Sequence, residues 1–335
     1  MNKPNPFLAK LFEIPAIMTL ERWKETLVEK EARFFEIFDR AYPEESIVLP
    51  EDGGPVRQEK IIKYRDYVGW VPFMEEVRQS VVMMRPFIRM VGDSKKSLKI
   101  MKSNYSGTFL RPPPPADFWK TVEQRTRQNG VGDIGYTTVD PSLVFAGMGM
   151  LFSNIIVLIM ETDYDAIAQS PGFPGGAETM RVYAKLTRAT NDLALYLQKS
   201  GYHAQPVIPY GGQVLYPLLA ANAGLGYPGY HGLLINERFG PALRISAVAT
   251  DAPSFPETRP NRMAAIREFC ETCRKCINSC PGNAIYPTPI SREDSPVVTH
   301  MDNKKCYPYV ARYKHCSVCI RVCAKILKDK NLIGA

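Results

Sequence analysis

The stretch FCETCRKCINSCPGNAI, Phe269 to Ile285, holds four of the chain's eight cysteines, Cys270, Cys273, Cys276 and Cys280, followed by Pro281. The other four, Cys306, Cys316, Cys319 and Cys323, lie just downstream, and no cysteine precedes Cys270. The first group reads C-x2-C-x2-C-x3-C-P. With that spacing three thiolates wrap one face of a [4Fe–4S] cube and the fourth reaches a second cluster. The second group, C-x9-C-x2-C-x3-C, mirrors it with a longer first gap. The spacing therefore assigns Cys270, Cys273, Cys276 and Cys323 to one cluster, and Cys280, Cys306, Cys316 and Cys319 to another. Every cysteine is used. Structural zinc would need four ligands and leave several thiols over. Disulfides suit an exported chain. The start, MNKPNPFLAKLFEIPAIMTLERWK, shows no export signal, because Lys10 and Glu13 break its apolar stretch and it lacks a twin-arginine pair. The expected compartment is the cytoplasm. Clusters carry electrons one at a time, and two close together form a relay.

The rest of the chain has the composition of a globular protein, with 335 residues, 45% hydrophobic and 23% charged. That length holds one large domain or two smaller ones. The formal net charge is +8, but the Lys and Arg residues form no single run. Such a balance fits nucleic acid, an acidic redox partner, an anionic cofactor or simply a solvated basic surface. Ser142 to Met160 is an uncharged stretch of nineteen residues, long enough to span a bilayer. Gly147, Gly149, Ser153 and Asn154 interrupt it, and no basic cluster flanks it. Its second half, IIVLIM, has the β-branched content of a strand buried on both faces. The expectation is a helix or loop followed by a strand, with no membrane span.

Residues 1–114 are expected to form a partly helical N-terminal region that covers the site, with helical spacing from Trp23 to Tyr42. Pro112–Pro115 reads as a rigid boundary. A helix is expected over Ala116–Asn129 and a turn and strand over GVGDIGYTTVD. Gly172–Gly176 should form a break, followed by a long helix from about Ala177 to Ser200 with Leu186, Ala189, Leu193 and Leu197 on one stripe. Gly201 ends it. This alternation predicts α/β or α+β, with the cysteine segment appended. The core, residues 115–262, carries neither a phosphate loop nor a G-x-G-x-x-G between strand and helix. His203, His231, His300 and His315 show no metal spacing. The glycine-dense segment Ala223–Pro253 either lets backbone amides approach a bulky or anionic ligand or forms tight turns.

AGLGYPGYHGLLINERFGPALR, followed by the cysteine segment, resembles the core of the cobalamin-dependent reductive dehalogenase and epoxyqueuosine reductase superfamily. METDYDAI (Met160–Ile167) after a buried strand, and a helix ending at Ser200–Pro206, carry the same resemblance. It covers roughly residues 115 to 325. It implies an α+β, nitroreductase-like core that holds a corrinoid with no protein ligand on cobalt. That agrees with the lack of a D-x-H-x-x-G element. The implied ferredoxin-like domain, residues 263–335, reduces cobalt to Co(I). The implied corrinoid contacts are Gly224, Gly226, Gly229, His231, Gly232 and Leu233. The family places a tyrosine about nineteen residues before the GY turn, which lands on Tyr183, with a cation after the glycine segment, here Arg244.

The chemistry can be stated from the residues. Reductive removal of a leaving group needs two electrons and a proton. A phenol, with a reference pKa near ~10, holds that proton at neutral pH, and a guanidinium stabilises the phenolate left behind. Tyr183 also lies one turn before Leu186, where a tyrosine can simply be core. The implied substrate is a small organic molecule with a carbon–halogen or related bond to be reductively cleaved. The implied electron donor is an external low-potential protein such as a ferredoxin or flavodoxin. Family dehalogenases often show G-R-N-G where this chain has Gly229-Tyr230-His231-Gly232. Epoxyqueuosine reductases commonly carry a helical-repeat tail for transfer RNA and an acid where this chain reads Pro206-Val207-Ile208-Pro209-Tyr210. Neither is found here, so nucleic acid is not the expected partner. A transfer-RNA-modifying reductase and a plain two-cluster electron carrier stand as the alternatives.

Overall fold

The computed structural model describes residues 73–146, 148–210, 212–263, 265–293, 295–312 and 316–334. The helix expected over Trp23–Tyr42 lies outside them, as does His315. The elements run α1 (Phe73–Ser106), α2 (Phe118–Gln128), β1 (Asp133–Thr138), β2 (Asn154–Glu161), α3 (Tyr164–Ala168), α4 (Phe173–Lys199) and β3 (Ala204–Val207). They continue through α5 (Tyr216–Asn222), the short strands β4 (Tyr227–Pro228) and β5 (Leu234–Ile235), and β6 (Leu243–Thr250). The cysteine segment adds α6 (Ile266–Cys273), α7 (Lys275–Asn278), the hairpin β7 (Ile285–Arg292) and β8 (Ser295–Met301), α8 (Asn303–Arg312) and α9 (Val318–Asp329).

The strand expected at IIVLIM is β2, preceded by a short 3-10 turn at Pro141–Leu143 and a loop. It lies inside a four-stranded sheet of order β1-β2-β6-β3. All pairings are antiparallel, with Tyr136 opposite Ile156, Val157 opposite Ala247, and Val207 also opposite Ala247. An antiparallel sheet carrying separate helices is α+β rather than α/β. Side chains alternate across a strand, and β2 uses both faces. Ile155, Val157 and Ile159 pack with Leu143, Val144, Met150 and Leu219. Ile156, Leu158 and Met160 pack on the opposite side under α4. Among the described residues no helix is long and apolar enough to cross a membrane.

Helix α4 begins four residues earlier than expected. The break ends at Gly172, and Gly175 and Gly176 are buried inside the first turns of the helix. Gly175 is there because a Cβ would stand 3.3 Å from the Ala166 carbonyl oxygen, so α3 can lie close. The stripe Val182, Leu186, Ala189, Leu193 and Leu197 covers the sheet, and Gly201, at φ 92°, ends the helix. Leu186→Ala should lower stability by about 2–5 kcal/mol, the usual range for emptying a fully buried leucine site. Denaturant unfolding of the cofactor-free chain measures it, and a loss under ~1 kcal/mol would contradict this packing.

Helix α1 lies along α4. Ser97 Oγ donates to Asn191 Oδ1 at 2.7 Å, and Asn104 Nδ2 donates to the Ala204 carbonyl at 2.8 Å. The proline stretch is tied to the end of α4, with Tyr202 Oη donating to the Pro112 carbonyl at 2.7 Å. The cysteine segment docks on α3 and the start of β6. Ile320 packs with Ile167 and Ala242, and the Ser317 amide donates to Ser170 Oγ at 2.5 Å.

Candidate functional site

The thiols fall into two neighbourhoods. Cys270, Cys273, Cys276 and Cys323 line one small cavity, together with Tyr230, His231, Phe269, Arg274, Lys275 and Leu327. Burial pushes the Cys276 thiol up to about 12, and the Cys270 and Cys273 thiols beside it add to the shift. Cys323 is raised by burial and then by Cys276, Cys270 and Cys273. In the second neighbourhood burial raises Cys306 to about 11, with Cys280 and Cys316 contributing, and Cys319 is raised by burial, Cys306 and Cys316. Cys276 also acts on Cys319, and Cys319 on Cys323, so the two groups adjoin.

Local structure explains the meeting. Residues 270–280 wind through α6 and α7, joined by Arg274 in the left-handed region at φ 48°. Helix α9 carries Cys319 and Cys323 four residues apart, hence on one face, so one helix serves both groups. The Ala284 amide donates to Cys280 Sγ at 3.3 Å. Among the described residues no three His, Cys, Asp or Glu side chains converge closely enough for a single metal ion. The first four thiols instead border a shared cavity. Eight thiols in two groups, Cys276 and Cys323 buried and the other six half-buried, are the soft donor set that iron–sulfur clusters take.

The glycine segment supplies the wall of the first ring. The Gly232 amide donates to the Gly229 carbonyl at 2.8 Å, and the Gly229 amide to the Leu233 carbonyl at 2.9 Å, closing a tight turn between β4 and β5. A Cβ on Gly229 would meet His231 Cε1 at 3.0 Å. His231 is fully buried. Burial, then the nearby His300, pushes its pKa down to about 4. The Tyr230 backbone hydrogen-bonds Cys270 and also the ring of His300. Gly224 and Gly226 face their own chain. A Cβ would stand 2.2 Å from the Arg259 carbonyl oxygen at the first and 2.2 Å from that of Ile235 at the second. At these two positions the glycines serve close backbone packing, not an open cradle. Leu233 is half-buried against Ile167, Ala242, Ile320 and Cys319.

Tyr183 and Arg244 come together. Arg244 enters at the start of β6 opposite Met160, and its Cζ stands 5.5 Å from the centre of the Tyr183 ring. Nη1 donates to the Leu243 carbonyl at 2.7 Å and Nη2 to Thr179 Oγ1 at 2.9 Å, while Nε is buried without a hydrogen-bond partner. Tyr183 is half-buried and stands off the sheet-facing stripe. It packs with Met90, Met180, Ala184 and Ile208. Its ring centre is 5.4 Å from that of Tyr210. Sequence reading missed Thr179 and Tyr210, since a helical threonine and a loop tyrosine carry no spacing signal. Ala242, two residues before Arg244, packs with Ile320 and Cys319, so β6 links the thiol region to this pair. Of the described histidines, His203 is paired with Asp251 at 2.7 Å, His231 lines the cavity of the first four thiols, and His300 stands near His231.

No family model matches the chain. By similarity to individual proteins it resembles both reductive dehalogenases and epoxyqueuosine reductases. It is 35% identical over 183 residues to the tetrachloroethene reductive dehalogenase of Desulfitobacterium hafniense, covering 51% of this chain and 32% of that one. It is 31% identical over 97 residues to the epoxyqueuosine reductase of Leadbetterella byssophila, covering 29% and 26%. A solved reductive dehalogenase, described as suggesting a mechanism for B12-dependent dehalogenation, matches the fold with a TM-score of 0.57 at 18% identity, covering 70% of this chain and 39% of that one. The chain spans about a third of the length of the dehalogenases it matches.

Proposed function

We propose that this chain is a corrinoid- and iron–sulfur-dependent reductase of the reductive dehalogenase type. It would act on a small organic substrate by the net reaction R–X + 2e⁻ + H⁺ → R–H + X⁻. The observation that carries the proposal is the pairing of Arg244 with Tyr183 on a core that also abuts two groups of four thiols. Higher identity to a dehalogenase than to an epoxyqueuosine reductase, over a longer stretch, favours the dehalogenase side.

In this proposal Cys270, Cys273, Cys276 and Cys323 hold the cluster nearer the glycine segment. Cys280, Cys306, Cys316 and Cys319 hold the other. An external low-potential donor supplies the electrons. The corrinoid, when bound by the nitroreductase-like core of about residues 115–262, would supply the metal centre at which the bond to the leaving group is reductively broken. Gly229, Gly232, Leu233 and the neighbouring backbone would border it. The protein's own part is proton delivery. The Tyr183 hydroxyl gives its proton to the carbon that loses the leaving group. Arg244 then faces the phenolate, and the charge it brings favours that ionised form. Thr179 and the Leu243 carbonyl hold the guanidinium by two hydrogen bonds, so little side-chain freedom is left to lose.

The test is anaerobic reconstitution with iron, sulfide and cobalamin. Retained corrinoid absorbance, and a Co(II) resonance free of axial nitrogen splitting, are expected. Protein that loads iron but binds no corrinoid would reduce the proposal to an electron carrier. Binding of transfer RNA that weakens with salt would favour the modifying reductase.

A further inference from the structure

His231 is 1% exposed, lines the cavity of Cys270, Cys273, Cys276 and Cys323, and has one ring nitrogen engaged and the other not. Its Nδ1 accepts the Leu233 amide at 3.1 Å. A neutral imidazole that accepts at one nitrogen must carry its proton on the other. The backbone therefore fixes the Nε2–H form, and Nε2 is buried without a partner. A buried donor left unmade costs the full desolvation of that group, so native structures rarely keep one without reason. The turn around it holds the ring in place. A Cβ on Gly229 would stand 2.7 Å from Ile235 Cδ1 and 3.3 Å from this same nitrogen, and one on Gly232, at φ 74°, would stand 3.2 Å from His300 Cβ.

We infer that His231 donates its Nε2–H to the sulfur shell of the cluster held by Cys270, Cys273, Cys276 and Cys323, and so sets that cluster's reduction potential. This rests on the thiol assignment of the proposed function but needs neither corrinoid nor substrate. The four ligand places are filled by thiolates, so the imidazole serves as a positioning donor and not as a ligand. Reduction adds one negative charge to the cluster. A hydrogen bond to its sulfur is stronger to that more negative state, so it favours reduction. Removing the donor should leave the cluster harder to reduce.

The experiment is a redox titration of the reconstituted full chain, followed by paramagnetic resonance, beside iron and sulfide counts. His231→Leu should keep both clusters and lower the potential of one of them by a tenfold change in the reduction equilibrium, about 59 mV for one electron. His231→Gln, which restores an N–H, should shift it less. Unchanged potentials in a fully loaded His231→Leu would overturn the inference. His300 Nδ1 is also buried without a partner. A potential that moves in His300→Gln but not in His231→Leu would give the role to that ring instead. Should His231→Leu lose iron, pulsed resonance on reduced wild-type protein labelled with ¹⁵N-histidine decides. A weak histidine nitrogen coupling supports the hydrogen bond. Its absence, or a strong coupling typical of a direct ligand, overturns it. Wild-type protein loading fewer than four irons would instead remove the thiol assignment itself, and this inference with it.

Discussion

Tyr183→Phe is expected to bind corrinoid and reduce cobalt as the wild type does, yet to turn over an active substrate roughly 10²-fold more slowly or worse, the scale of losing a general acid. The substitution keeps the ring against Met90, Met180 and Ile208 and removes only the hydroxyl. If Tyr183 were only packing, the cost would be small and turnover nearly intact. The geometry sharpens that contrast. The sheet-facing stripe of α4 is Val182, Leu186, Ala189, Leu193 and Leu197, and Tyr183 stands beside it under Arg244. Arg244→Ala removes the charge that faces the phenolate. Arg244→Lys keeps a charge but not the fork that meets Leu243 and Thr179 together, so it should fall less far than the alanine variant. The deciding pair of measurements is steady-state turnover beside cobalt reduction. Wild-type turnover in Tyr183→Phe would remove this residue from the mechanism and leave the proton to another group or to water.

What the sequence made legible follows the range of its signals. A continuous β-branched run announced β2, and the 3.6-residue stripe announced α4, because both are local signals tied to backbone geometry. Thiol spacing marked out two sets of four, because cluster ligation constrains sequence distance directly. Long-range meetings left no such trace. Arg244 reaches Tyr183 through the β2–β6 register, and Thr179 becomes its partner only once α4 lies across that sheet end. The start of α4 was misjudged for a related reason. Gly175 and Gly176 look like a breaker in isolation, but both are buried within α4, and the close approach of α3 selects a small residue at Gly175 despite its poor helix propensity. The glycine segment split in the same way. Gly224 and Gly226 are spent on the fold, while Gly229 and Gly232 shape the turn that holds His231.

Reconstituted wild-type protein is expected to hold about eight irons and eight acid-labile sulfides, as two cubane clusters require. Cys276→Ser should mainly lose the first cluster and Cys319→Ser mainly the second, each leaving roughly four irons. The two sets share their supports, since α9 gives Cys319 to one and Cys323 to the other. Their apolar backing, however, is separate. Cys323 and Cys270 rest on Met263, Ile266 and Leu327, whereas Cys319 rests on Ile320, Ile167 and Ala242. Because each ring has its own backing, loss of one cluster should leave the other's thiols in place. Serine is nearly isosteric but a poor ligand for this soft site, so the local effect is loss of metal and not of packing. Iron and sulfide analysis, with the resonance of each reduced variant, checks this. Equal loss from both variants would mean that the clusters assemble as one unit. Zinc in place of iron would sink the two-cluster reading, and with it the route by which electrons reach the core from an outside donor.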